Sequence, residues 1–256
     1  MSDLFTVGES KNTIIFGAGH GIGFALVKEI LDTNPGAKVI ATYRLFHKAK
    51  ALISLSEEFS DRLEIIQLDP TIEKEVERFA QQLESKEVRL DLIVNSIGFL
   101  GDDIISPEKS LRDISKESLL KYFEVNSLPI LYIAKNFEKL FVRERTTCFV
   151  NLSAKVGSID DNALGGWYGY RASKTALNMF IKNVSIEFSR KRKKIITLAL
   201  HPGTTHTELS EKYLKSSNLK IHEAGDTARN ILRVLDSLSL AHNGHFLSWD
   251  GQEIKW

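Results

Sequence analysis

Residues 12–31 read NTIIFGAGHGIGFALVKEIL, and this stretch decides the fold. A short apolar run, Thr13 to Phe16, breaks into a cluster of glycines. Ala25, Leu26, Ile30 and Leu31 follow at the spacing of one helix face. Strand, tight turn and helix thus come in sequence. Gly17, Gly19, Gly21 and Gly23, with Ala18, His20 and Ile22 between them, form the turn. Glycine permits φ > 0 and a close backbone approach to a ligand. The N–H groups and positive dipole end of the following helix suit an anion such as a pyrophosphate. A plain strand-to-helix turn is the bland alternative. No GxxxxGK[ST] occurs in the chain, which disfavours a nucleoside-triphosphate P-loop.

Outward from this unit the pattern repeats. Short runs begin at Lys38 (KVIATYR), Leu63 (LEIIQLD), Leu90 (LDLIVNS), Cys148 (CFVNLS), Ile195 (IITLALHPG) and His245 (HFLSW). Most lack clean polar alternation, as strands do when both sheet faces are covered. Between them lie helical patterns, such as Ile22 to Leu31 and Leu119 to Phe141. The apolar part near Leu128 to Ile133 predicts a long, strongly buried helix. Alternating β and α predicts an α/β fold, a doubly wound parallel sheet of about seven strands with helices on both faces. No linker, repeat or low-complexity stretch divides the chain, so residues 1–256 are expected to form one domain.

Composition excludes several classes. Net charge is +1, which argues against a nucleic-acid or anionic-membrane partner. The basic run Arg190, Lys191, Arg192, Lys193, Lys194 follows a helix pattern, where cations complement the C-terminal dipole, and no aromatics interleave with it. The 7 histidines show no metal-ligand spacing, and no Gly-x-Ser-x-Gly elbow is present. One cysteine, Cys148, cannot form an internal disulfide. The start lacks a secretory pattern, and no apolar run approaches the roughly 20 residues that span a bilayer. A cytoplasmic protein is expected.

Two places carry chemistry. The second strand run ends in Thr42, Tyr43, Arg44. A dinucleotide site for NAD usually has a carboxylate there, whereas arginine can hold a 2′-phosphate through charge-assisted hydrogen bonds. His20 could add a donor from the glycine loop. The alternatives are a solvated arginine and a surface histidine. Asp69, after the third run, suits either the adenine amine or a helix N-cap. The second place is GWYGYRASKTALN, which puts Tyr170 and Lys174 one turn apart on one helix face. A nearby ammonium favours phenolate and brings a tyrosine toward acid–base work at neutral pH.

The spacing G-x-x-x-G-x-G from Gly17, with the Tyr-x-x-x-Lys of Tyr170 and Lys174, resembles the short-chain dehydrogenase/reductase family over about Asn12 to Trp256. GSIDDNALGGWYGYRASKTALN and the ending WDGQEIKW look most like its branch of C-factor and sniffer-type carbonyl reductases. The resemblance implies a Rossmann-type fold, NADP(H), a small-molecule carbonyl substrate, and a homodimer or homotetramer. Asn95, Ser96, Ile97, Gly98 stands where the family usually has Asn-Asn-Ala-Gly, lining the adenosine ribose. Asn126 matches the residue that kinks a helix and holds a relay water. Pro202, Gly203, Thr204 and Thr207 match a segment meeting the nicotinamide amide and pyrophosphate, and Glu208 to His222 falls where the family keeps a substrate lid. Two departures stand out. Phe16 replaces a usual threonine, and Ala154 occupies the usual place of the carbonyl-orienting serine, which leaves Ser153 or Ser158 to supply that hydroxyl. C-factor resemblance also implies an alternative, a cofactor-binding signalling or interaction protein with little turnover.

Overall fold

A computed structural model describes residues 11–191, 193–214 and 220–256. In chain order the elements are β1 (Asn12–Phe16), α1 (Gly21–Thr33), β2 (Lys38–Tyr43), α2 (Lys50–Glu58), β3 (Leu63–Gln67), α3 (Glu73–Ser85), β4 (Leu92–Asn95), α4 (Lys116–Asn126) and α5 (Pro129–Phe137). There follow β5 (Thr147–Leu152), α6 (Tyr168–Arg190), β6 (Ile195–His201), β7 (Thr204–Thr205), α7 (Glu211–Leu214), β8 (Ile221–His222), α8 (Ala224–Asp236) and β9 (Phe246–Ser248).

Every apolar run read from the sequence is a strand of one parallel sheet, ordered β3-β2-β1-β4-β5-β6-β9. The runs lack alternation because both faces are covered. Ile15, Val94, Val150 and Leu198 pack on one side with Leu26, Ile30, Ile231 and Leu235 of α1 and α8. Ile14, Phe16, Ile93 and Phe149 pack on the other with Phe79, Ile133, Phe137 and Leu177 of α3, α5 and α6. Each fully buried side chain of this size contributes about 1.5–3 kcal/mol. The ring of Phe16 meets those of Phe79 and Phe137 at 6.4 and 5.4 Å. The residue that departs from the family's threonine is thus a core residue on the α3–α5 side.

The long helix expected from Leu119 to Phe141 is two helices. Asn126 ends α4 and Pro129 opens α5. Proline has no N–H to bond the preceding turn, and its ring crowds that turn's carbonyl. The backbone adjusts so that Ser127 N and Leu128 N both bond Phe123 O, at 3.0 and 3.2 Å. Ile130 and Ile133 are buried as expected. Among the described residues no helix is long and apolar enough to cross a membrane.

The chain runs outward from β1 in opposite directions, β2 and β3 on one side and β4 onward on the other. Beyond the C-terminal ends of β1 and β4 this reversal leaves a crevice, where open α/β sheets bind ligands.

The basic run closes α6 as read. Lys191 bridges Glu138 and Glu187 at 2.9 and 2.8 Å, and Lys193 lies 3.6 Å from Glu138. Arg192 falls outside the described residues.

Candidate active site

The crevice is a cleft of about 440 Å3. Of the residues picked from sequence, Gly17, Gly19, His20, Arg44, Asp69, Ser96 and Gly98 line it. The glycine loop is shaped by close contact. Gly17 and Gly21 have φ of 80° and 60°. A Cβ on Gly23 would fall 2.5 Å from both Gly17 O and Ser96 Oγ. Ser96 clamps the loop by donating to Phe16 O at 2.6 Å. Buried Asn95 donates to Asn151 on β5 at 3.2 Å and accepts from Ile97 N at 3.2 Å, and Ile97 itself lines the cleft. The first turn of α1 contains Ile22 and holds no acid, and its N-cap His20 makes no side-chain cap bond. Those N–H groups therefore meet no carboxylate from their own helix, which suits a pyrophosphate.

One corner of the cleft gathers charge. His20 is held below its usual pKa, first by burial. Glu208 pulls it up, and Lys48 and Arg44 push it down. Lys48 forms an ion pair with Glu208 across the cleft mouth. Lys48 was not singled out from sequence, although it lies four residues beyond Arg44 in RLFHK and that nearness could have flagged it. Its contact with a residue 160 positions away could not. Asp69 Oδ1 accepts from Thr71 N and Thr71 Oγ1 at 3.0 and 2.7 Å. It closes a turn ahead of α3, whose N-cap is Ile72, so the N-cap reading of Asp69 is corrected.

The segment after β6 crosses this loop. Gly203 turns at φ 80°, where a Cβ would lie 2.9 Å from the Trp249 ring. Pro202 precedes it, and Thr204 pairs with Ile221 in a separate short sheet. Thr207 packs on the glycine loop, its Cγ2 3.5 Å from a Cβ built on Gly21. Of the expected lid, residues 215–219 lie outside the described residues, while Leu209 lines the cleft and packs with Tyr213 on the cluster of Leu100, Tyr122 and Tyr170.

Tyr170 and Lys174 do not line the cleft; both are buried behind its Gly98 wall. Lys174 Nζ is 3.9 Å from a Cβ built on Gly98. It donates to Leu152 O at 3.1 Å and stands 6.0 Å from the centre of the Tyr170 ring. Burial pushes the Tyr170 phenol up to about 12 and pulls the Lys174 amine down to about 8. The Lys174 ammonium alone would draw the phenol down. Burial outweighs it, because a phenolate out of water costs more than a cation at this distance returns. Near neutral pH the phenol keeps its proton and can donate it.

Both side-chain groups of Asn126 are engaged by the protein. Its Oδ1 accepts from Phe99 N at 2.7 Å, and its Nδ2 donates to Phe99 O and Ser173 Oγ at 2.9 and 3.0 Å. Ser173 Oγ in turn donates to Tyr170 O at 2.8 Å. Asn126 therefore ties the end of α4 to the loop after β4 and to α6. The serines are turned elsewhere. Ser153 Oγ donates to Asn178 on α6 at 2.6 Å, and Ser158 Oγ accepts from Asp161 N at 3.2 Å. From this segment Ala154 and Val156 pack on the Tyr170 cluster.

Known proteins resemble this chain in sequence and fold. The chain matches the family model "short chain dehydrogenase" over residues 11–218. C-signal of Myxococcus xanthus is 28% identical over 167 residues, 65% of this chain and 93% of that one. Carbonyl reductase Sniffer of D. melanogaster superposes with a TM-score of 0.84 at 24% identity, covering 97% of this chain and 100% of that one. The NADPH-bound carbonyl reductase from chicken fatty liver gives 0.83 at 25% identity over 97% and 100%. A parallel sheet, a glycine loop at its reversal and a buried Tyr-x-x-x-Lys pair thus meet in one chain, which belongs to the short chain dehydrogenase family of oxidoreductases.

Proposed function

We propose that this oxidoreductase reduces a carbonyl (a ketone, aldehyde or quinone) with NADPH, and that Tyr170 supplies the proton. The observation that carries this is the buried Tyr170 and Lys174 pair, with Lys174 Nζ 3.9 Å from a Cβ built on Gly98, behind a cleft whose far corner holds Arg44, Lys48 and His20. The residues fit the dinucleotide. The first turn of α1 and Thr207 would hold the pyrophosphate, Arg44 with Lys48 and His20 the 2′-phosphate, Asn95 to Gly98 the adenosine ribose, and Lys174 the nicotinamide ribose. When bound, NADPH supplies a hydride. The chain's own part is to orient the carbonyl under Leu209 and Tyr213, exclude water, and pass the Tyr170 proton to the carbonyl oxygen. Lys174, 6.0 Å from the Tyr170 ring centre, steadies charge as the proton leaves. Asn126 fixes α6 against α4 through Ser173.

The test is NADPH oxidation against a panel of ketones, aldehydes and quinones, with Tyr170→Phe as control. Turnover of at least one carbonyl that Tyr170→Phe abolishes supports the reading. A second reading is favoured by Ala154 and by the Ser153 and Ser158 hydroxyls being engaged away from Tyr170. There the chain binds NADP(H) and acts as a signalling or interaction module. Tight NADPH binding with no Tyr170-dependent turnover across the panel selects it. Exposed Leu120, Met179 and Ile186 on α4 and α6 support a homodimer or homotetramer through these helices. Light scattering that gives a monomer mass removes that part. A cytoplasmic setting suits the lone, buried Cys148.

A further inference from the structure

Helix α6 starts without a cap of its own. Its N-cap is Trp167, which makes no side-chain cap bond, and no acidic residue lies in the first turn. Gly165, Gly166 and Trp167 stand in succession at φ of 65°, 66° and 52°. The chain thus reaches the helix through a left-handed bend, which tryptophan adopts at a steric cost that the glycines avoid. Such a bend persists only where its surroundings hold it.

Glu108, in the loop between β4 and α4, holds it. Its backbone carbonyl accepts from Trp167 N at 2.5 Å. Its Oε2 accepts from Gly169 N at 3.0 Å, an amide that the helix itself leaves without an acceptor. Its Oε1 lies 3.4 Å from Ser118 Oγ on α4. Glu108 is 2% exposed, and a carboxyl buried to that extent needs donors around it. The neighbourhood leaves no slack. A Cβ on Gly169 would fall 2.4 Å from Tyr122 Cδ2 and 2.9 Å from Glu108 Oε1. Tyr122 is anchored by donating to Leu100 O at 2.8 Å, and its ring stands 6.2 Å from that of Tyr170. Tyr170 is the next residue after the capped amide.

We propose that Glu108 is a positioning residue, a helix cap supplied from outside α6 whose reach to Gly169 N sets where the Tyr170 hydroxyl stands. This rests on Tyr170 being the proton donor. A reacting group displaced by about 1 Å can lose up to roughly 100-fold in rate, so a small shift of this first turn reaches the chemistry. The glycine loop and the Arg44 corner belong to other elements and keep their geometry when α6 slips at its start.

Two substitutions separate reach from charge. Glu108→Asp keeps the carboxyl but is too short for Gly169 N, and Glu108→Gln keeps an oxygen at the same reach without the charge. The proposal expects Glu108→Asp to lower kcat by about tenfold or more while the NADPH Kd stays within about threefold. It expects Glu108→Gln to keep kcat within about threefold. Hydrogen exchange by mass spectrometry should be faster in the first turn of α6 for the aspartate variant and unchanged for the glutamine variant. Wild-type kcat and exchange in Glu108→Asp, or a Glu108→Gln variant as impaired as Glu108→Asp, would overturn it. So would loss of NADPH affinity in step with kcat, which marks a general structural residue. Tyr170→Phe, measured alongside, separates the two claims. If it keeps full turnover, the proton-donor reading fails, whereas exchange at α6 still reports on the cap.

Discussion

At the scale of single residues, the Tyr170 and Lys174 environments make opposite demands. Burial keeps the phenol protonated up to about 12 and lets the amine lose its proton near 8. The ammonium is therefore present below about 8 and lost as pH rises through that value. Carbonyl reduction should be level on the acid side and fall as pH passes about 8, well before the phenol titrates. A kcat profile that stays flat to high pH would contradict this. The cationic corner gives a second prediction. Arg44→Ala and Lys48→Ala should each raise the KM for NADPH roughly tenfold and leave that for NADH nearly unchanged, the scale of one charge-assisted hydrogen bond. Ala154 gives a third. Ala154→Ser should raise kcat by up to roughly tenfold by adding a donor toward the carbonyl, as read from steady-state kinetics with any carbonyl that is turned over. The tyrosine, lysine and arginine were legible because motif spacing reports one helix face or one strand end. The aim of Ser153 was not. It depends on which face of the sheet the end of β5 presents, and that face is occupied by Asn178.

At the scale of elements, the glycine loop is a packing solution as much as a binding one. Gly23→Ala would place a methyl 2.5 Å from Gly17 O and Ser96 Oγ, so the loop or the start of α1 must move. The expected result is a loss of about 1–3 kcal/mol in urea unfolding together with weakened NADPH binding. Unchanged stability and affinity would show that the loop absorbs the methyl. The strands could be located because two-sided burial writes itself as short runs rich in Ile, Val, Leu and Phe. The break between α4 and α5 was harder to see. Apolar spacing continues across it, and only Pro129 and the outward engagement of Asn126 with Phe99 and Ser173 mark the interruption. The cap from Glu108 was invisible for a different reason. It lies 61 residues from its partner Gly169, and nothing local in SPEKS announces it.

At the scale of the whole molecule, the sheet gathers its strand ends and so brings the glycine loop, Arg44, Gly98 and α6 to one side. It also buries groups that make stability depend on pH. Burial pulls His201, at the end of β6, down to about 4 from 6.5, and its Nδ1 has no hydrogen-bond partner among the described residues. Between those values the unfolded chain binds more protons at this site than the folded one. The stability held above 6.5 is therefore lost as pH falls toward 4, by up to about 3 kcal/mol. Urea midpoints for wild type and His201→Gln should differ in slope across this window, and parallel profiles would contradict the assignment. The central claim, however, concerns chemistry, and isotope transfer tests it most directly. NADPH deuterated at its reactive ring carbon is incubated with a carbonyl, and the product is read by mass spectrometry. The account predicts a deuterated alcohol from the wild type and none from Tyr170→Phe, with both proteins binding NADPH equally. Deuterium transfer at full rate by Tyr170→Phe, or no transfer by a wild type saturated with NADPH across the whole panel, would contradict it.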